Sequence, residues 1–347
     1  MRILYINALY QDYLADAVLV GLKRLPGVRV EEYPGNRYVY ADVHELAHNL
    51  YGRGFTVYGN LDPATRLEAT RNGKLGLDFE DYDLIILACI SQQMGFFLEY
   101  QQRLSPRNTI VLDGSDSPAL FPYNVYGGHA YRLLLPRVYR THLYFKRELM
   151  ATSATHHLRG AAAAAARLIP PPPTVVPVAF GIPAEKIVAD LATPKTKDFP
   201  EHIVDPEVAA ARAGTSTGYL FDREEDYYQD MRISRFGITT KKGGWDCMRH
   251  YEIAAAGAVV CFRNLPEKPV TCAPHGLHPG DNCLSYTDYP DLQRQIDALD
   301  GAGYRHLQAG SWEWAKANTC TRRAEAILRR AAVHTGISLP ASIQPTA

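Results

Sequence analysis

The richest concentration of chemistry-bearing residues is the run Lys241-Lys242-Gly243-Gly244, followed closely by Asp246, Arg249 and Glu252. Two ammonium groups supply full positive charge, and two glycines let backbone amides come close to a ligand. Asp246 is expected to cap a helix starting there, whose first amides carry partial positive charge. Together these suit a diphosphate. Arg249 and Glu252 stand three residues apart and share a helix face. The guanidinium would meet phosphate oxygens, and the carboxylate could accept two hydrogen bonds from the vicinal hydroxyls of a ribose. Diphosphate plus ribose is the handle of a nucleotide-activated sugar. The competing reading is an exposed helix pair, worth a few tenths of a kcal/mol, beside a solvated turn.

A second group of residues could supply a general base, which must reach the hydroxyl it deprotonates. Asp113 and Asp116, in LDGSDSP, follow the apolar run TIVL and so stand at the carboxyl end of an expected strand. His129, in YNVYGGHAYR, has Tyr123, Tyr126 and Tyr131 near it as stacking surfaces. Asp12 follows the first strand. The alternative for Asp113 and Asp116 is an Asx-type turn before Pro118. Lys146 and Arg147 belong either to a cleft or to salt bridges. In CAPHGLHPGDNC, Cys272, His275, His278 and Cys283 offer four zinc-type ligands, but not at the spacing of a familiar finger. The reading carried forward has no metal, with His275 lining the donor pocket.

The elements that must position these groups alternate along the chain. Strands are expected at 3–6, 28–33, 83–90, 109–112, 141–145 and 175–180, with a helix at 15–25 stopped by Pro26-Gly27. The run DLIILACI is continuously apolar, as in a strand covered on both faces. AAAAAA at 161–166 reads as helix, ended by the prolines at 170–173. Beyond that, helices are expected at 205–213, 224–233, 290–299 and 311–332. Strands are expected at 219–221, 236–240, 259–262 and 283–286. Strands separated by helices imply parallel sheets with right-handed crossovers. The fold class is therefore α/β, with two Rossmann-like domains facing a cleft: 1–182, a linker at 183–200, 201–335, and a tail at 336–347. Ligands of open α/β sheets sit beyond the carboxyl ends of the strands.

Composition excludes more than it selects. The 347 residues carry 37 basic and 37 acidic side chains, so no global field favours nucleic acid or an anionic membrane. The 22 tyrosines against 11 phenylalanines suit sugar-lined clefts as well as an ordinary core. MRILYINALY reads as a strand opening at the second residue rather than a secretory leader. No apolar run approaches the length of a bilayer span. A cytoplasmic location with free thiols is the expectation, with Cys89, Cys247 and Cys261 acting as small core hydrophobes. GxGxxG and GxxxxGK[ST] are absent, which disfavours dinucleotide oxidoreductases and P-loop NTPases.

The segments RHYEIAAAGAVVCF, NCLSY, YPDLQRQIDAL and SWEWAKANTCTRRAEAIL together resemble the carboxyl-terminal half of GT-B-fold glycosyltransferases. The bacterial group that includes the CgeB-like proteins is the nearest match (glycosyltransferase family 1-4-like). The match runs from Arg232 to Leu328; MRILYIN and LYFKREL (143–149) extend it more loosely into the first half. The resemblance implies transfer of a sugar from a nucleotide-diphosphate donor, UDP being the working nucleotide, to an acceptor hydroxyl. That acceptor would be a glycan, a lipid-linked glycan or a small molecule. No cofactor or obligatory metal is implied. Glu252 would hold the donor ribose, while Arg249 with Lys241 or Lys242 would face the diphosphate. Gly244 stands where many such enzymes carry a first glutamate, eight residues before the ribose carboxylate. That departure leaves retaining and inverting chemistry both open. It also keeps two other classes in view, a non-catalytic nucleotide-sugar-binding protein and a nucleotide-sugar epimerase.

Overall fold

The structure, a computed structural model, describes residues 1–344 except 44–48, 72–73, 76–77, 126–133, 159 and 161–169. In chain order its main elements begin with β1 (Arg2–Ile6), α1 (Tyr13–Lys23), β2 (Arg29–Tyr33), the short hairpin β3 (Thr70–Arg71) and β4 (Lys74–Leu75), and β5 (Leu84–Leu87). Next come α2 (Met94–Tyr100), β6 (Thr109–Asp113), β7 (Leu143–Lys146), β8 (Val175–Pro177), α3 (Pro206–Ala210) and α4 (Glu224–Arg232). The chain continues with β9 (Phe236–Thr239), α5 (Met248–Ala255), β10 (Val259–Arg263), β11 (Cys283–Tyr286), α6 (Tyr289–Asp297), α7 (Gly301–Ala317) and α8 (Cys320–Thr335).

The chain divides into two compact units. The first comprises Met1–Phe180, Val270–Ala273 and Cys320–Ala347; the second comprises Gly181–Pro269 and Pro274–Thr319. Residues 183–200, read from the sequence as a linker, thus belong to the second unit, and α8 belongs to the first.

The first unit is built on a six-stranded parallel sheet in the order β2-β1-β5-β6-β7-β8. Its central strands, LIIL and TIVLD, are buried along their whole length. Strands covered on both faces read as unbroken apolar runs for this reason. The strand order reverses once, between β1 and β5, and a reversal of this kind is where ligands of such sheets bind. Helix α1 is buried from Leu14 to Leu22 and packs against α8, which buries Ala324, Ile327, Leu328 and Ala331. Gly21 allows that approach, because a methyl group there would run into the backbone of Cys320.

Asp16 on α1 is buried and accepts hydrogen bonds from Asn36 Nδ2 at 2.7 Å and Tyr58 Oη at 2.9 Å. Burial lifts its pKa to about 7. An aspartate whose folded pKa exceeds its unfolded one contributes stability below the unfolded value. That contribution fades as pH rises to the folded value. Asp16→Asn should therefore narrow the difference in melting temperature between acidic and mildly alkaline buffer, with the variant relatively more stable on the alkaline side. Melting curves followed by circular dichroism at both pH values check this.

The second unit contains a three-stranded parallel sheet, β11-β10-β9. Its core is Phe236, Ile238, Val259, Cys261, Leu284, Leu292, Ile296 and Leu307. Gly237 lets α5 lie directly on β9, since a side chain there would collide with Ile253. Three expectations are corrected here. Residues 219–221 form no strand, and Tyr219 and Leu220 are exposed. The helix read over 311–332 is two helices, broken at Asn318-Thr319. Asp246 is not the cap of α5, because Cys247 holds that position. The helix read at 161–166 lies outside the described residues. Among the described residues no helix is long and apolar enough to cross a membrane.

Candidate functional site

Three strands of the second unit end in the same direction, and their carboxyl ends are furnished differently. Arg263, closing β10, pairs with Asp205 at 3.0 Å, and Tyr286, closing β11, donates to the same carboxylate at 2.8 Å. Those two ends are thus engaged by the first turn of α3. The end of β9 instead releases the loop Thr240-Lys241-Lys242-Gly243-Gly244, which turns sharply as Lys242 N donates to the Gly244 carbonyl at 3.0 Å. Lys241, Lys242 and Gly243 are exposed at its tip, while Gly244, Trp245 and Asp246 are buried. The Lys241 ammonium sits over the Trp245 ring, 5.0 Å from its centroid.

The loop is braced from beneath. His250 Nδ1 meets Thr239 Oγ1 at 2.8 Å, and its Nε2 meets the Trp245 carbonyl at 2.9 Å. Tyr251 donates to Asp246 Oδ1 at 2.9 Å and stacks on Trp314. Trp314 Nε1 in turn donates to the His275 carbonyl at 2.8 Å. His275 is therefore tied to the site through its backbone. Gly276 beside it takes a positive φ of 78° and lies close against Trp314.

Glu252 is 8% exposed and accepts a hydrogen bond from Tyr227 Oη at 2.5 Å. Arg249, one turn earlier, is half-buried with its guanidinium 5.7 Å from the centroid of the Tyr227 ring. Burial works against the Arg249 charge, but Tyr227 and Glu252 more than compensate, so its pKa sits above the usual arginine value. Burial, followed by the Glu252 carboxylate beside it, pushes the Tyr227 hydroxyl well up and keeps it a donor. The pair is accordingly not a solvated helix decoration: a buried tyrosine ties its carboxylate and lies under its cation. Lys242, Arg249 and Glu252 all lie in the second unit.

The candidates of the first unit occupy the carboxyl ends of β6 and β7. Asp113 is buried and accepts from Lys146 Nζ at 2.9 Å, Asn124 Nδ2 at 2.9 Å, Ser115 Oγ at 2.8 Å and Ser115 N at 3.1 Å, and also from Tyr144 Oη. The Ser115 contact is the Asx turn that the sequence offered as an alternative. Lys146 is fully buried, and burial draws its pKa below the ordinary lysine value despite Asp113. Asp116 is the exposed one of the two, held on one oxygen by Arg147. Arg147 also pairs with Glu148 at 3.1 Å. Asp12 caps α1, accepting from Leu14 N at 3.0 Å and Ala15 N at 3.1 Å. Gly114 passes so close to the Asp12 carboxylate that a Cβ there would collide with it. His129, Tyr126 and Tyr131 lie outside the described residues.

Among the described residues, no three His, Cys, Asp or Glu side chains are grouped to hold a metal ion. Cys272 belongs to the first unit, where its Sγ meets the Leu149 carbonyl at 3.3 Å. Cys283 opens β11 in the second unit. Cys89 and Cys261 are buried as small hydrophobes, whereas Cys247 is only half-buried. One residue of the site escaped the sequence reading. It is Tyr227, and its signal was the Tyr227-Tyr228 pair inside the charged run EEDYYQDMR.

No protein-family model matches the chain, and no curated protein matches it either. Solved structures do. HepE of Anabaena, in complex with UDP and glucose, matches with a TM-score of 0.54 at 10% identity, over 96% of this chain and 100% of that one. The fold is GT-B. A glycosyltransferase from Rickettsia africae matches at 0.53 and 9% identity, covering 97% and 99% of the two chains. Sucrose-phosphate synthase from Thermosynechococcus elongatus matches at 0.52 and 12%, covering 97% and 100%. At such identities the shared property is the GT-B architecture, and it spans nearly the whole chain.

Proposed function

We propose that this chain is a glycosyltransferase that draws a sugar from a nucleotide-diphosphate donor, a UDP-sugar, held by the second unit. The observation that carries the reading is the Glu252 carboxylate, seated by Tyr227 one turn after Arg249 on the helix that follows the lysine-glycine loop. In it, Glu252 accepts from the ribose hydroxyls, and Lys242 and Arg249 meet the diphosphate, with Lys241 and the first-turn amides of α5 adding positive potential. Gly243 and Gly244 leave room for the phosphates, and His275 lines the pocket. As the glycosidic bond breaks, negative charge grows on the departing phosphate, and fixed cations stabilise that departure without a metal. HepE, which shares the fold, was solved with UDP-glucose, and that supports the choice of nucleotide.

The acceptor would be engaged by the first unit, a glycan, a lipid-linked glycan or a small molecule, in the cytoplasm. A general base needs a lone pair to offer. Asp113 spends its lone pairs on its five donors, so Asp116 is the base of this reading, with His129 the other candidate. The resemblance of RHYEIAAAGAVVCF and the segments after it to the CgeB-like group is part of this reading. Gly244, standing in place of a first glutamate, favours one further reading, a protein that binds the donor without turning it over.

A thermal-shift screen against UDP-, GDP-, ADP- and TDP-sugars tests the donor assignment. A UDP-sugar at one hundred times its Kd should add roughly 2.7 kcal/mol of stability. No shift with any of the four would remove the proposal.

A further inference from the structure

His202 enters none of the contacts that build the donor loop, yet it lies within electrostatic reach of two of its cations. The residue is 5% exposed, and its backbone bridges Ser216. Its ring stacks on Tyr219 with centroids 5.4 Å apart and an interplanar angle of 24°. Its Nδ1 is buried without a hydrogen-bond partner. A buried ring nitrogen left unpaired calls for an explanation, because such groups are otherwise satisfied.

The charges around the ring supply one. Burial, then Arg249 on α5 and Lys242 in the loop, disfavour its protonation and hold its pKa down to about 4. The backbone of Gly218 and Ser216 works in the opposite sense, favouring the charged ring. Tyr219 contributes an aromatic face. The imidazole is thus set among groups ready to receive its N–H bonds, while burial and two neighbouring cations keep the proton away.

We propose that His202 takes up one proton from solvent when the diphosphate of a nucleotide sugar settles on Lys242 and Arg249, and that the imidazolium then adds a third cation to the donor's surroundings. This rests on the donor reading given above. Two phosphate charges beside Lys242 and Arg249 convert the local field from repelling a proton to attracting one. The linkage has a definite sign. A group whose pKa rises on binding holds more protons in the complex, so affinity strengthens as pH falls through the window between the empty and occupied values.

The test is calorimetry on the full chain with UDP-glucose, near pH 6, in two non-phosphate buffers of unlike ionisation enthalpy. UDP-glucose is the right probe because both ends of its diphosphate are esterified, whereas a terminal phosphate itself titrates near pH 6. The wild-type chain should take up roughly half to one proton per ligand, and its affinity should weaken by up to about tenfold per pH unit on the alkaline side. His202→Gln should lose that uptake and flatten that profile. Equal uptake in the two proteins overturns the proposal. Should the variant fail to fold, the His202 ring signals in the NMR spectrum of the wild-type chain decide. A titration midpoint that UDP-glucose shifts upward supports the proposal, and one it leaves in place overturns it. Binding without uptake sinks only the role of His202, whereas no binding of UDP-glucose at all sinks the donor reading with it.

Discussion

Glu252→Ala is expected to weaken UDP-glucose binding by roughly 10- to 100-fold. Two hydrogen bonds from ribose hydroxyls to a carboxylate are each worth about 1.5 kcal/mol or more when one partner is charged, and about 1.4 kcal/mol is a factor of ten. The substitution also strips Tyr227 of its acceptor inside a buried site, so about 1–3 kcal/mol of stability should go with it. Tyr227→Phe separates the two effects. It keeps the carboxylate and removes only the group that seats it, and its affinity should stay within about tenfold of wild type. Titration calorimetry beside melting curves reads both quantities. If Glu252→Ala bound UDP-glucose as tightly as the parent, the ribose assignment would be wrong.

The second large effect lies in the first unit and concerns stability rather than binding. Asp113→Ala leaves the Lys146 ammonium buried beside Ser115 without its ion-pair partner. Removing one member of a buried ion pair typically costs about 3–5 kcal/mol. For a unit of this size the melting temperature should drop by roughly 10 °C. Asp116→Ala removes an exposed carboxylate, and Arg147 keeps Glu148 as a partner, so its melting temperature should barely move. In the proposed reaction its effect belongs to turnover, where loss of a general base costs about 10²–10⁴-fold. A scanning melt of both variants beside a donor-consumption assay distinguishes the scaffold carboxylate from the reactive one. Asp113→Ala melting like wild type would contradict the first half of this contrast, and unchanged turnover in Asp116→Ala the second.

What could be read from the sequence follows from where the burial signal is strong. DLIILACI and TIVLD announced strands because a sheet covered on both faces admits only apolar residues. Pro26-Gly27 announced the end of α1 because neither residue prolongs a helix. The lysine-glycine loop was legible because its chemistry is local in the chain. The break at Asn318-Thr319 was not legible, since apolar spacing continues across it and only the change of unit reveals it. Asp246 looked like a cap by residue type, but its carboxylate instead takes the Tyr251 hydroxyl, a contact set by packing. The seat of Glu252 was hidden for a similar reason: Tyr227 reaches it from 25 residues earlier in the chain. Asp113 illustrates the converse, a residue whose type invites a catalytic role and whose partners, from Ser115 to Lys146, make it a keystone.

Because α8 completes the layer over α1, residues 181–319 form one nearly continuous passage of chain set inside the first unit. During synthesis the ribosome therefore finishes the second unit while the first still lacks its covering helix, leaving the apolar side of α1 unsheltered in the nascent polypeptide. A chimera joining the first 180 residues to a foreign partner would carry that deficit permanently, unless residues 320–335 were grafted back along with them.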